Sequence, residues 1–190
     1  MLILGSSSPA RQKALREAGY QFTVLSADID EKAIRHEHPE NLTHLLANAK
    51  LDALIERVTE PATLVCADTV VFFNGEIWEK PADEKEHREM LQTVHSVPFT
   101  ITTSVAVINL NSQRRASGTD TVSFRLDPLP SDLVETLITE PKNQIRAGGF
   151  GVQDIRLAPY LHPLEGNVEA AVGIPISVLR NLLEEVAYSA

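Results

Sequence analysis

The hydrophobic and polar positions of this 190-residue chain change repeatedly between a strand period and a helix period. A short apolar run, Leu2–Leu4, leads into a serine-rich turn where Ser8 is suited to cap a helix and Pro9 to begin it. Residues 41–58 carry apolar side chains at helical spacing. Thr63–Phe73 is apolar at almost every position, which is typical of a central strand covered on both faces.

The same alternation continues through the rest of the chain. Asn74-Gly75 is a strong hairpin turn, Asp83 with Glu86 forms a capping pair, and Ser131 is predicted to cap a short helix. We predict further strands over residues 20–25, 99–110 and 115–126, and helices over 83–94, 131–140 and from 175 onward. Because helices alternate with both hairpins and separated strands, the pattern predicts an α/β fold with a mixed sheet.

Charge and cysteine content narrow the class of protein. Seventeen Lys and Arg against 26 Asp and Glu give a net charge of −9, which argues against a general nucleic-acid surface. A few cations gathered locally can still bind a small anion. Cys66 is the single cysteine, so a reducing, cytoplasmic location is expected. The chain has no apolar stretch near ~20 residues, and the start MLILG lacks the core of a signal peptide, so we expect no membrane partner.

Arg11 is placed against the helix dipole. With Ser8 as the cap, Arg11 becomes the third helical residue, where the dipole favours acids by ~0.3–1 kcal/mol. A bound phosphate reverses that argument, because first-turn N–H groups, the hydroxyls of Ser6 and Ser8, and the guanidinium would converge on one anion. The alternative is a solvated arginine that leans away from the helix end.

Two further charges lie where apolar residues are expected. Lys50 falls within the apolar stripe of its helix, although it could also extend from the edge of that stripe into solvent. Asp68 interrupts a strand that is otherwise apolar, so it requires a cation, a metal or strong donors. A structural ion pair is the alternative to a functional acid there. Lys80 and Glu31 lie in predicted loops and mean little alone.

Six short motifs occur in an order that resembles one known family, the Maf family of nucleoside triphosphate pyrophosphatases. Each motif is weak alone, but together they are spread over most of the chain. They are Ser6-Ser7-Ser8-Pro9-Ala10-Arg11, Asp30-Glu31, Ala49-Lys50, Ala67-Asp68-Thr69-Val70-Val71, Glu79-Lys80-Pro81, and Ala147-Gly148-Gly149-Phe150 with Gln153.

The resemblance implies a fold and an activity. It implies one Maf-like domain over residues 1–190, with an inosine-triphosphatase-like mixed β-sheet flanked by helices and two lobes around a cleft. Such proteins hydrolyse a nucleoside triphosphate between the α and β phosphates, releasing a monophosphate and pyrophosphate. They use a divalent metal, Mg²⁺ or Mn²⁺, and often form homodimers. The implied partner is therefore a small nucleotide.

The resemblance also assigns roles to residues. Asp68 corresponds to the proton acceptor, and it either takes the proton itself or mainly holds the metal together with Glu31. Phosphate-binding roles fall on Ser6, Ser8, Arg11, Lys50 and Lys80. These assignments coincide with the charges that the hydrophobic pattern leaves unexplained.

Three positions of the family are tied to the nucleotide base, and here they are Ala10, Thr69 and Gln153. Thr69 and Gln153 resemble members that act on dTTP and UTP, and a glutamine amide suits the imide edge of uracil or thymine. Ala10 stands where those members commonly have an arginine. The alternatives are 7-methyl-GTP or another modified nucleotide as substrate, a non-catalytic nucleotide-binding regulator of cell division, and a domain with a merely structural ion-pair network.

Overall fold

The computed structural model describes residues 1–144 and 146–187. Its strands are β1 (Leu2–Leu4), β2 (Thr23–Val24), β3 (Thr63–Phe73), β4 (Glu76–Trp78), β5 (Phe99–Asn109), β6 (Arg114–Leu126) and β7 (Leu161–Gly166). Its α-helices are α1 (Pro9–Glu17), α2 (Pro39–Ile55), α3 (Glu84–Thr93), α4 (Ser131–Thr139), α5 (Pro141–Gln144) and α6 (Ile176–Ala187). Short 3₁₀ turns cover Glu31–Ala33, Ala147–Gly149, Ile155–Leu157 and Val168–Val172.

The strands form one sheet in the order β2-β1-β3-β5-β6-β7, and β4 pairs with β3. β1 runs parallel to both β2 and β3, with Leu4 opposite Val65. β4 and β7 are antiparallel to β3 and β6, respectively. The predicted mixed α/β sheet is therefore confirmed.

The chain divides into two compact units, as a two-lobed fold requires. The first unit contains residues 1–69, 102–120 and 169–187, and the second contains residues 70–101 and 121–168 with residue 145 not described. Assignment of residues 1–190 to a single Maf-like domain stays a prediction. Among the described helices, none has the length and apolar character needed to cross a membrane.

The first unit has helices on both faces of its strands. On one face α2 packs through Ala47, Leu51 and Leu54 against alternate residues of β3, including Leu64 and Cys66. On the other face α1 and α6 pack against the intervening β3 residues Val65 and Ala67, whose side chains point away from α2. Because successive strand residues point to opposite faces, β3 is apolar at nearly every position.

The second unit is organised around aromatic contacts. Phe99 stacks on Phe124 at a ring separation of 5.7 Å and meets Phe150 edge-on at 5.6 Å. Phe73 and Trp78 lie 4.4 Å apart across the β3–β4 hairpin. The turn of that hairpin has positive φ at both Asn74 and Gly75, as its sequence predicts.

Several predicted bounds need correction. The strand expected over 20–25 is only the two residues of β2, and the helix expected over 41–58 is α2. Ser131 is the first helical residue rather than the cap, because Pro130 occupies the cap position. The sequence analysis did not predict β7. This strand contains Pro163 and lies at the sheet edge, and most of its residues are exposed and show no apolar alternation.

Candidate active site

The turn between β1 and α1 forms the first part of the site. Gly5 donates its N–H to the Val65 carbonyl at 2.8 Å, which anchors the turn against β3. Ser8 caps α1 by accepting from the Arg11 N–H at 3.5 Å, as predicted. Ser6 is buried and accepts from the Ser8 N–H at 3.2 Å. The first turn of α1 therefore begins at two serine hydroxyls and contains no acidic residue.

The Arg11 side chain is half-buried and folds back onto the protein instead of leaning into solvent. Its Nε donates to the Gly173 carbonyl at 2.7 Å, Nη1 to Ser6 Oγ at 3.2 Å, and Nη2 to Thr69 Oγ1 at 3.3 Å. Desolvation lowers the pKa of Arg11 from its usual value, and the carboxylate of Asp68 opposes that shift. These contacts engage three of the five guanidinium N–H groups, and each terminal nitrogen keeps one N–H for a ligand.

Lys50 joins two carboxylates that are far apart in sequence. Its Nζ lies 2.5 Å from Asp68 Oδ1 and 2.8 Å from Glu31 Oε1. Lys50 and Asp68 are 8% and 6% exposed, whereas the Glu31 side chain is 54% exposed. The lysine is therefore a buried ion-pair partner and does not extend into solvent from the edge of its helix.

Burial raises the pKa of Asp68 above its ordinary value. The charge and hydrogen bond of Lys50 and the charge of Arg11 oppose that rise, while Glu31 adds to it. A carboxylate with a raised pKa is a better proton acceptor than an ordinary surface aspartate. The site thus contains an acid suited to accept a proton from water.

Strand alternation explains why β3 serves two parts of the site. Leu64 and Cys66 face α2, so Asp68 points toward Lys50 on that helix. Val65 and Ala67 face α1 and α6, so Thr69 points toward Arg11. Two adjacent residues of one strand therefore contact cations on opposite faces of the sheet.

A divalent metal fits the chemistry of the two acids. Oxygen atoms of Asp68 and Glu31 converge on one positive centre, the Lys50 ammonium. Mg²⁺ prefers oxygen donors and commonly binds one or two carboxylates together with waters and substrate phosphates. Over residues 1–144 and 146–187 no group of three or more His, Cys, Asp and Glu side chains is placed to hold a metal. The two carboxylates therefore offer oxygen donors of the kind that Mg²⁺ prefers, and the metal itself stays a prediction.

The remaining predicted residues lie elsewhere in the chain. Ala10 is half-buried on α1, one residue before Arg11. Lys80 and Gln153 are exposed residues of the second unit, Lys80 just after β4 and Gln153 just before the turn Ile155–Leu157. The first unit thus contains two clusters, one of Lys50, Asp68 and Glu31 and one of Ser6, Arg11 and Thr69. The functional roles of all the predicted site residues stay predictions.

Thr103 belongs to this site but was not predicted. It is fully buried in β5, and its hydroxyl lies 2.7 Å from Thr69 Oγ1 and donates to the Ala170 carbonyl at 2.7 Å. A sequence feature could have indicated it, because the polar run Thr102-Thr103-Ser104 interrupts the mainly apolar strand β5, as Asp68 interrupts β3.

A solved structure shows the same fold. The structure of a HAM1 protein from Coxiella burnetii aligns over 97% of this chain and 98% of its own, with a TM-score of 0.51 and 12% identity. Fold and site together define an α/β protein that has the fold of that HAM1 structure and contains a buried cation–carboxylate pair and a serine-capped helix that carries an arginine in its first turn.

The sequence comparisons then show the family. The family model described as "Maf-like protein" matches residues 1–186, and this chain belongs to the Maf family. A 7-methyl-GTP pyrophosphatase of Dictyostelium discoideum is 37% identical over 98% of this chain and 97% of its own. A nucleoside triphosphate pyrophosphatase of Chlamydia muridarum is 33% identical, with coverage of 97% and 93%. A dTTP/UTP pyrophosphatase of Pelotomaculum thermopropionicum is 29% identical, with coverage of 99% and 97%.

Proposed function

We propose that this protein hydrolyses nucleoside triphosphates between the α and β phosphates, releasing a monophosphate and pyrophosphate, with dTTP and UTP as its substrates. One observation carries the proposal: Lys50, Asp68 and Glu31, dispersed along the sequence, form one ion-paired cluster, and Arg11 lies near enough to interact with the charges of both acids. Relatives that match over almost the whole chain are named as pyrophosphatases of this kind.

The cations supply binding and orientation for the polyphosphate. The N–H groups that Arg11 keeps on its terminal nitrogens, together with the N-terminus of α1, form a donor surface for phosphate oxygens. Lys50 adds a buried positive charge beside the carboxylates. Because phosphoryl chemistry depends mainly on positioning and charge neutralisation, these groups account for much of the expected rate enhancement. Lys80 is proposed to add a further cation.

Asp68 is proposed to accept the proton of the attacking water. Its raised pKa favours that transfer, and Lys50 holds the carboxylate through a 2.5 Å contact that fixes its orientation. Asp68 and Glu31 would also hold Mg²⁺ or Mn²⁺, which supplies charge neutralisation of the phosphates and a lower pKa for bound water.

A pyrophosphate-release assay tests the proposal. Wild-type protein and Asp68→Asn are incubated with a panel of nucleoside triphosphates and Mg²⁺ or Mn²⁺. We expect release from UTP or dTTP to fall by at least about a hundredfold in Asp68→Asn, as for removal of a general base. Asp52→Asn is the matched control, because Asp52 pairs with Arg115 on the exposed side of α2. Saturable nucleotide binding without release would instead support the non-catalytic regulator.

A second substrate, 7-methyl-GTP, is favoured by one observation. The relative named 7-methyl-GTP pyrophosphatase is 37% identical, compared with 29% for the dTTP/UTP pyrophosphatase of P. thermopropionicum. Thr69 and Gln153 favour the pyrimidine substrates by their resemblance, whereas Ala10 does not. The ratio of kcat/KM for UTP to that for 7-methyl-GTP distinguishes the two, and a ratio below one would assign the modified nucleotide.

We also propose that the protein is a cytoplasmic homodimer. The family resemblance supports the dimer, and the single cysteine, which is buried and unpaired, suits a reducing compartment. Light scattering coupled to size-exclusion chromatography is expected to give twice the 20.9 kDa chain mass. A monomer across the micromolar range would contradict the dimer without affecting the proposed chemistry.

A further inference from the structure

Thr103 is a fully buried hydroxyl for which the proposed mechanism has no role. It lies on the face of β5 that packs against α1 and α6, since Val105 and Val107 belong to the same core cluster. Its neighbour Ser104 points to the opposite face, where it contacts Thr43 of α2 at 2.8 Å. Two buried hydroxyls that are adjacent in sequence thus belong to separate networks.

The network of Thr103 has one permitted direction. The Arg11 guanidinium can only donate, and the Ala170 carbonyl can only accept. Because the Thr103 hydroxyl donates its hydrogen bond to the Ala170 carbonyl, it must accept the 2.7 Å hydrogen bond from the Thr69 hydroxyl. Thr69 therefore accepts from Arg11 Nη2 and donates onward to Thr103. The hydroxyl protons of Thr69 and Thr103 are therefore both used in these hydrogen bonds. Thr69 can act toward a ligand only as a hydrogen-bond acceptor.

We infer that Thr103 is a positioning residue which, through Thr69, sets the orientation of the Arg11 guanidinium at the substrate-binding site. The inference rests on the proposed function, because it requires Arg11 to bind a phosphate group. It assigns to Thr69 a second role beside its proposed contact with the nucleotide base.

The geometry shows why orientation depends on this path. Arg11 is held at Nε by the Gly173 carbonyl and at Nη1 by Ser6, and Thr69 supplies the contact at Nη2. Removing the Thr103 hydroxyl leaves the Thr69 proton without its buried acceptor. Thr69 then rotates to find another partner, and its lone pair no longer faces Nη2. The guanidinium loses one of three constraints while the protein keeps its charge.

Two substitutions at position 103 separate orientation from packing. Thr103→Val preserves volume but removes the hydroxyl, and we expect kcat/KM to fall about fivefold to tenfold, as for one lost hydrogen bond. Thr103→Ser keeps the hydroxyl but removes a buried methyl, and we expect activity within about twofold of wild type despite lower stability. If packing alone mattered, serine would impair activity more than valine.

Thr43→Val is the matched control. Thr43 is also fully buried and hydrogen-bonded through its hydroxyl, but to Pro39, Glu40 and Ser104 on the other face of the sheet. We expect Thr43→Val to lower the melting temperature about as much as Thr103→Val with kcat/KM unchanged. An equal loss of kcat/KM in both variants would overturn the inference.

A double-mutant cycle tests whether Thr103 acts through Arg11. Arg11→Lys keeps a positive charge but removes the Nη2 group that contacts Thr69. Thr103→Val is expected to change kcat/KM less than twofold in the Arg11→Lys background. An undiminished loss there would show that Thr103 acts by another route and would overturn the inference.

Binding of inorganic pyrophosphate separates this inference from the proposed activity. Calorimetry is expected to give a severalfold weaker affinity for Thr103→Val than for wild type, whether or not any nucleotide is hydrolysed. Weaker affinity in a protein without turnover would overturn the proposed function alone. Equal affinity of the two proteins, or no binding by wild type, would overturn the inference about Thr103.

Discussion

The pair formed by Lys50 and Asp68 yields the sharpest prediction about why these charges are present. Lys50→Met leaves Asp68 buried without its nearest cation. Lys50→Met combined with Asp68→Leu removes both charges and leaves apolar side chains of similar size. The Glu31 carboxylate remains more than half exposed, so water can solvate it in either variant.

The expected changes in the free energy of unfolding differ between the two variants. Breaking a buried ion pair by removing one partner typically costs about 3–5 kcal/mol in the free energy of unfolding. Replacing both partners by apolar residues is often neutral or stabilising by ~1–4 kcal/mol. We therefore expect Lys50→Met to be strongly destabilised and the double variant to be about as stable as wild type. Both should release no pyrophosphate, because the pair is proposed to serve chemistry and not stability.

The pH dependence adds an independent check. Without Lys50, the pKa of Asp68 in the folded state rises further above the value near 3.9 that an unfolded aspartate has. The folded state then binds more protons than the unfolded state between those two pKa values. Stability of Lys50→Met is therefore greatest at low pH and falls by up to ~1.4 kcal/mol per pH unit as pH rises through that interval. The double variant lacks the group and should show no such slope.

Urea denaturation followed by far-UV circular dichroism at pH 5 and pH 8 measures these free energies. Fluorescence of Trp78, the single tryptophan, provides a second probe from the second unit. The reasoning fails if Lys50→Met matches wild type in stability, or if the double variant is less stable than Lys50→Met. Retention of activity by the double variant would remove Lys50 and Asp68 from the proposed chemistry.

Further predictions concern titration and backbone conformation. The kcat/KM of wild type should decline on the acid side with an apparent pKa above ~3.9, because Asp68 must be ionised to accept a proton and burial raises its pKa. Glu31→Gln removes a charge that raises this pKa, so a pH–rate profile should show the decline at lower pH, and a move to higher pH would contradict the assignment. Gly173→Ala places a side chain at a φ of +89° with its Cβ 3.4 Å from Arg11 Nε, so both stability and kcat/KM should fall. Gly19→Ala is the control, because Gly19 has a φ of +83° with open space around it. It should lose ~1 kcal/mol of stability with unchanged kcat/KM. Equal losses of kcat/KM in both variants would argue against a role for Gly173 at Arg11.

The sequence predicted those helices, strands and turns that begin or end at characteristic residue types. Ser8 and Pro9 mark the start of α1, Asn74-Gly75 marks the β3–β4 turn, and Thr63–Phe73 has the bounds that its apolar run predicts. These features depend on neighbours a few residues apart, so local sequence specifies them. β7 has no comparable marks, because an exposed edge strand needs neither apolar alternation nor turn residues at fixed offsets.

Charges in apolar stretches of the sequence indicate much of the candidate site. Arg11 conflicts with the helix dipole, and Lys50 and Asp68 conflict with burial, so each requires a partner from outside its own segment. That requirement does not say which partner is used. The contact between Lys50 and Asp68 arises only when α2 packs on the face of β3 to which Asp68 points.

The amino-acid sequence is sufficient to specify the helix cap, the hairpin turn, the central strand and the charges that require partners. Only folding makes the Arg11 guanidinium donate to the Gly173 carbonyl, 162 residues away, and lets the Thr103 hydroxyl accept a hydrogen bond from Thr69. Every residue has a backbone carbonyl, so no residue type indicates which carbonyl accepts the hydrogen bond. A buried threonine is likewise compatible with almost any strand. Whether its hydroxyl donates or accepts depends on the donors and acceptors that folding places around it.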